Sequence, residues 1–163
     1  MKPLRIWGAL SPLLLAIAAL MFGLDQTVKW WLLHVYGLGE SAPVRFTAFF
    51  DLALTWNRGI SYGLFRTHAQ GVLVAISLGI SLLLWLWGAR ATNPLTVAAL
   101  GLIIGGALSN ALDRAVYGAV ADFFHFHVGS FSWYVFNPAD VAIVAGGALL
   151  LYESYERRPA AGH

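Results

Sequence analysis

Between Gly105 and Asp140 the sequence places three carboxylates, Asp113, Asp122 and Asp140, with the amides of Asn110 and Asn137 and the guanidinium of Arg114, in a chain that otherwise reads as membrane. Ionisable groups at bilayer depth are expensive, so they point to a site or to an internal partner. If Asp122 and Asp140 meet in a partly desolvated place, both cannot ionise readily and they hold one proton between them. The ionised member then acts as general base on a water, the protonated one polarises a substrate carbonyl, and the proton ends on the leaving amine. That is peptide hydrolysis without a metal or a covalent intermediate, in a pair that titrates as a unit. The plain alternatives are structural. Asn137-Pro138 reads as an N-cap followed by proline at the first helical position, which puts Asp140 in a first turn where the helix dipole favours an anion. Asn110, Asp113 and Arg114, at i, i+3 and i+4, share one helix face and can satisfy one another.

The elements that must hold these residues are membrane helices. The 163-residue chain is 59% hydrophobic and only 11% charged, with a mean hydropathy of +0.70. A span needs about 20 apolar residues, and four spans are expected, at about 6–24, 69–88, 95–113 and 138–154, in a single domain over 1–163. The first run resembles a signal peptide with Ala16-Ile17-Ala18 as a weak cleavage site, but it continues well past that site and reads as a retained span. At its end Asp25 and Lys29 stand at i,i+4 beside Trp30-Trp31, a pair that can neutralise itself at the membrane edge as an anchor or serve a site. Gly101-x-x-x-Gly105 in the third span reads as a helix-packing motif. The net charge of +2 is scattered, which gives no support to nucleic-acid binding, and the absence of cysteine excludes thiol nucleophiles, disulfides and cysteine metal sites.

Two stretches have another period. From Val44 to Asn57 apolar and polar residues alternate, which predicts a strand with one apolar face. An open sheet edge cannot sit in lipid, so this piece belongs at the interface, and Asn57-Arg58-Gly59 ends it as a turn. Residues 119–136 are rich in aromatic and β-branched types, with Val128-Gly129-Ser130-Phe131 as a hairpin turn. His125 and His127 would share a strand face there, but no third metal ligand is evident. The expected fold is therefore an all-α membrane protein of four transmembrane helices with a small extracytoplasmic β-sheet from about 44–62 and 119–136.

Four spans put both termini on one side and bring the loops after the first and third spans together on the other. Asp25, Lys29, Asn57, Gly59, the Asn110 to Arg114 cluster, Asp122 and Asp140 thereby converge on one membrane face. Lys2, Arg5, Arg90, Arg157 and Arg158 on the terminal side, against Arg45, Arg58 and Arg66 opposite, favour cytoplasmic termini.

Together these motifs resemble the type II, or lipoprotein, signal peptidases of bacteria. The resemblance rests on Asp25-Gln26-x-x-Lys29, Asn57-x-Gly59, Gly105-Gly106-Ala107-x-x-Asn110-x-x-Asp113-Arg114, Gly118-x-Val120-x-Asp122-Phe123 and Phe136-Asn137-x-Ala139-Asp140, in family order along nearly the whole chain. It implies that Asp122 and Asp140 are the catalytic dyad and that Asn57, Gly59, Asn110, Arg114, Asn137 and Ala139 shape and support the pocket. Asp25, Lys29 and Asp113 belong to the structural surround. It further implies a monomer in the bacterial inner membrane, without cofactor or metal, that meets membrane lipid and cuts prolipoproteins before a diacylglyceryl-modified cysteine near the periplasmic face. Two departures from the family are visible: Ile60-Ser61 stands where Ala-Ala is frequent, and Ser109 replaces a frequent Gly, from which an altered pocket wall is expected. Intramembrane carboxylates also mark proton- or ion-coupled carriers, and a structural subunit held by its polar cluster is a further alternative. A carrier would want polar residues at mid-span, and the second span has essentially none.

Overall fold

Prolines mark where three helices begin. Pro12, Pro94 and Pro138 each stand in a first turn, where the missing N–H would have no intrahelical partner in any case. The computed structural model describes residues 5–39, 43–59 and 69–156. Helix α1 is Ser11–Trp30 and passes into a π-helical turn, Trp31–Val35; α2 is Ala69–Gly88, α3 Pro94–Tyr117 and α4 Pro138–Glu156. Among the described residues three helical segments, Ser11–Val35, Gln70–Gly88 and Pro94–Tyr117, are long and apolar enough to cross a membrane. Helix α4 is not one of them and carries Asp140 and Glu153 near its ends.

Helix α3 lies at the centre and packs against α1, α2 and α4. The small residues expected to permit close approach do so: a Cβ on Gly105 would stand 2.5 Å from the Ala18 carbonyl oxygen of α1, and one on Gly106 would stand 2.6 Å from the Ala139 carbonyl oxygen of α4. Leu14, Val97, Leu100 and Ile104 fill the core between α1 and α3.

The strands are β1 Val44–Arg45, β2 Phe50–Asn57, β3 Val120–Val128 and β4 Phe131–Phe136, an antiparallel sheet in the order β1-β2-β3-β4. The run from Val44 to Asn57 is thus not one strand. It folds back at Phe46 to Phe49, where the backbone N–H groups of Phe46 and Thr47 donate to the Phe50 carbonyl at 3.0 and 3.1 Å. The turn expected at Gly129-Ser130 joins β3 to β4. Leu52, Ala121 and Phe123 clamp the sheet onto Leu32 and Leu38 after α1, and β2 pairs Asn57 with Val120 and Thr55 with Asp122. The start of β3 is thereby held over the C-terminal end of α3.

Candidate active site

Asp122 is 1% exposed at the start of β3. Its Oδ1 accepts from Asn137 Nδ2 at 2.6 Å, and its Oδ2 accepts from Asn57 Nδ2 at 3.1 Å. The Asn57 carbonyl oxygen accepts from the Gly59 N–H at 2.9 Å; Gly59 has φ +83°, a conformation glycine adopts without strain, so the turn and the carboxylate contact use the two ends of one amide.

Asp140 lies in the first turn of α4. Asn137 Oδ1 accepts from the Asp140 N–H at 2.9 Å, and Asp140 Oδ2 accepts from the Asn137 N–H at 3.3 Å, a reciprocal capping box. The cap uses Oδ2. Oδ1 accepts instead from Asn110 Nδ2 at 2.9 Å, so capping and a site role coexist in one side chain. Asn137 therefore bonds to both aspartates, and it also donates to Asn110 Oδ1 at 3.1 Å.

Burial, and then the charge of Asp140, push the Asp122 carboxyl up from 3.8 to about 6. The hydrogen bonds from Asn57 and Asn137, and the Lys29 ammonium, act in the opposite direction.

Behind the pair lies a second, fully buried polar layer. Lys29 Nζ stands 2.7 Å from Asp25 Oδ2 and 2.7 Å from Asp113 Oδ2, and donates to Asn110 Oδ1 at 3.0 Å. Two carboxylates thus share one ammonium inside the bundle, so Asp25 and Lys29 are not a self-contained pair at the membrane edge. Helix α1 runs past the expected end near residue 24 and carries both inward. Asp25 Oδ1 accepts the N–H of Ala139 at 2.9 Å, and Asp113 Oδ2 accepts the N–H of Ala121 at 3.1 Å. Each of these carboxylates grips the backbone one residue before an aspartate of the front pair. Arg114 is half-buried, donates from Nη1 to the Asn110 carbonyl at 3.3 Å, and lies within electrostatic reach of Asp140 and Asp122.

Sequence reasoning did not assign Gln26, whose Nε2 reaches Asp113 Oδ1 and Ser109 Oγ, both at 2.8 Å. Ser109 corrects an expectation: its hydroxyl donates to Asp25 Oδ2 at 2.6 Å, inside the buried layer and not in a pocket wall. The available signal was its spacing, four residues before Asp113 on the face that meets α1. Ile60 and Ser61 lie outside the described residues. His125 and His127 both approach Asp51 Oδ2, at 3.9 and 2.9 Å, on the sheet away from the pair. No group of three or more potential metal-ligating side chains of metal-holding geometry occurs among the described residues.

A family model described as signal peptidase (SPase) II matches residues 17–156. A protein of Nitrobacter hamburgensis named lipoprotein signal peptidase is 52% identical over 168 aligned residues, covering 99% of this chain and 98% of that one. One of the same name from Methylocella silvestris is 54% identical, covering 92% and 86%. In fold, the chain is similar to a bacterial membrane enzyme solved by the in meso method at 1.9 Å, with a TM-score of 0.79 at 21% identity, over 90% of this chain and 95% of that one.

Proposed function

The chain belongs to the signal peptidase II family, an aspartic peptidase that removes signal peptides from prolipoproteins, and from that premise we propose that Asp122 and Asp140 are its catalytic pair. The observation that carries the assignment is Asn137 holding both carboxylates at once, Asp122 through its side-chain Nδ2 and Asp140 through its backbone N–H. One carboxylate takes a proton from water as the water attacks the scissile carbonyl. The other, protonated, hydrogen-bonds to the carbonyl oxygen, and the tetrahedral intermediate collapses as the proton taken from water passes to the leaving amine, which leaves the pair with its one shared proton. Asn57, Asn110 and Asn137 fix the carboxylate orientations, Gly59 sets the turn that aims Asn57, and Ala139, fully buried, is the point where the α4 backbone closes on Gly106. Arg114 supplies positive charge beside the pair. Asp25, Lys29 and Asp113 hold the backbone from behind.

The bond cut is the one before a diacylglyceryl-modified cysteine, in a substrate that enters from the lipid. The whole chain acts as one domain and as a monomer in the bacterial inner membrane, with α4 as a fourth span, the termini in the cytoplasm and the sheet on the periplasmic side. Cleavage of a lipid-modified precursor peptide by the purified protein in detergent tests the pair. Asp122→Asn and Asp140→Asn are each expected to lose a factor of about a thousand or more, within the range of general acid–base effects. Parent-like cleavage by either variant removes that residue from the chemistry.

A further inference from the structure

At the end of the bundle opposite the aspartate pair, where α2 stops, α3 begins and α4 ends, lies a cavity of about 580 Å³. Its wall is built. Glu153 is 7% exposed and accepts from Asn93 Nδ2 at 2.6 Å and from Thr96 Oγ1 at 2.5 Å. Asn93 is in turn the N-cap of α3, accepting the Leu95 N–H at 2.9 Å. Both Glu153 oxygens are thus engaged at the positive end of the α3 dipole. The rest of the polar lining differs: Arg90, Thr92 and Ser154 are exposed, and among the described residues neither the Arg90 guanidinium nor those two hydroxyls has a hydrogen-bond or ion-pair partner. Leu150 and Trp87 provide apolar wall beside them.

The depth of the cavity is set by α2. That helix carries no charged residue from Ala69 to Gly88, and Arg90 is the first charge after it. Trp87, half-exposed, stands where interfacial aromatics mark the boundary between hydrocarbon and headgroups. A ligand here meets a guanidinium and exposed hydroxyls together with the apolar side chains of Trp87 and Leu150. A guanidinium fork with hydroxyl donors suits the tetrahedral oxygens of a phosphate.

We propose that this cavity binds the phosphodiester head of a membrane phospholipid, with Arg90, Thr92 and Ser154 on the phosphate and Trp87 and Leu150 on the first part of the chains. The site is separate from the aspartate pair, and its occupancy is independent of which residues cut the substrate.

Native mass spectrometry of the full chain released from detergent tests this, with phosphatidylethanolamine or phosphatidylglycerol added, and with diacylglycerol of the same chains or inorganic phosphate as the comparison. Phospholipid adducts on the parent and none with diacylglycerol are expected. Arg90→Gln should weaken the adducts about tenfold and Thr92→Val by less. Arg90→Lys, which keeps the charge but not the fork, should fall between parent and Arg90→Gln. Cleavage of precursor peptide in detergent should be unchanged in all three, which also reports that they are folded. Retention of the parent's adducts by Arg90→Gln, or equal binding of diacylglycerol, overturns the proposal. Displacement of the lipid by equimolar inorganic phosphate assigns the phosphate chemistry to a soluble ligand and overturns the lipid.

Discussion

Asp122 is held between forces of opposite sign, and its titration follows from them. Burial and the neighbouring Asp140 favour its protonated form, whereas Asn57 and Asn137 donate to the ionised form. A reaction that needs one proton in the pair should therefore lose kcat/KM as pH rises through about 6. Asn57→Ala removes a bond to the ionised carboxylate, so the alkaline limb should move to higher pH; a limb that stays or moves down contradicts the contact. Stability follows the same group. Its folded value lies above the ordinary 3.8, so protonation favours the fold; that contribution is full below about pH 3.8 and is lost as pH rises through about 6. Asn at this position does not titrate, although its own NH2 must face one of the two donating amides. The stability of Asp122→Asn relative to the parent should therefore rise between pH 4 and pH 7.5, by on the order of 1–3 kcal/mol. Thermal unfolding in detergent at the two pH values measures it. The types and spacing of Asp122 and Asp140 were legible in the sequence because charges in an apolar chain stand out. The function of Ser109 was not, because a hydroxyl in a small-residue helix face reads as packing until its partner on α1 is known.

The buried layer joins elements that are far apart in the chain. Lys29 from α1 lies between Asp25 of its own helix and Asp113 of α3, and the two acids hold the N–H groups of Ala139 and Ala121, at the starts of α4 and β3. Removing the ammonium leaves two carboxylates uncompensated, a change that typically costs about 3–5 kcal/mol. Lys29→Met should lower the thermal midpoint sharply and lose activity with it, in contrast to Asp122→Asn, which loses activity without such a fall in stability at pH 7.5. Equal stability of Lys29→Met and the parent would show that the layer does not hold the elements. Why α1 extends past residue 24 is a tertiary effect: Asp25 and Lys29 are tolerable inside the bundle only because Asp113, Ser109 and the Ala139 N–H meet them there. The β1–β2 turn was hidden for a local reason. Phe46-Thr47-Ala48-Phe49 contains no Gly, Pro, Asn or Asp to mark a reversal, and one register, Val44, Phe46, Ala48 and Phe50, stays apolar through it, with Phe49 the one break in the other. Gly129 marked the β3–β4 turn in the expected way.

At the scale of the molecule, one end of the bundle carries the sheet and the aspartate pair, and the other carries Arg90, Glu153 and the cavity. That polarity could be anticipated from the sequence, since successive spans alternate in direction and put the loops after the first and third on one side whatever the orientation. Which end faces the cytoplasm depends on the weaker excess of Arg and Lys on the terminal side. The sheet adds an independent reason to place it at a membrane surface: Phe131, Trp133 and Tyr134 are all more than half exposed on β4, a concentration of amphipathic rings suited to the headgroup layer. The chain has no cysteine, so single-cysteine variants report on topology without background. Ser130→Cys in the exposed β3–β4 turn should react with a membrane-impermeant maleimide on intact spheroplasts. Thr92→Cys in the exposed α2–α3 connection should react only after the membrane is opened. The reverse pattern would turn the molecule over and put the aspartate pair in the cytoplasm. Labelling of both from outside would mean that the chain between Thr92 and Ser130 does not cross the membrane, which is incompatible with α3 as a span and with the four-span arrangement from which the convergence of Asp122 and Asp140 was derived.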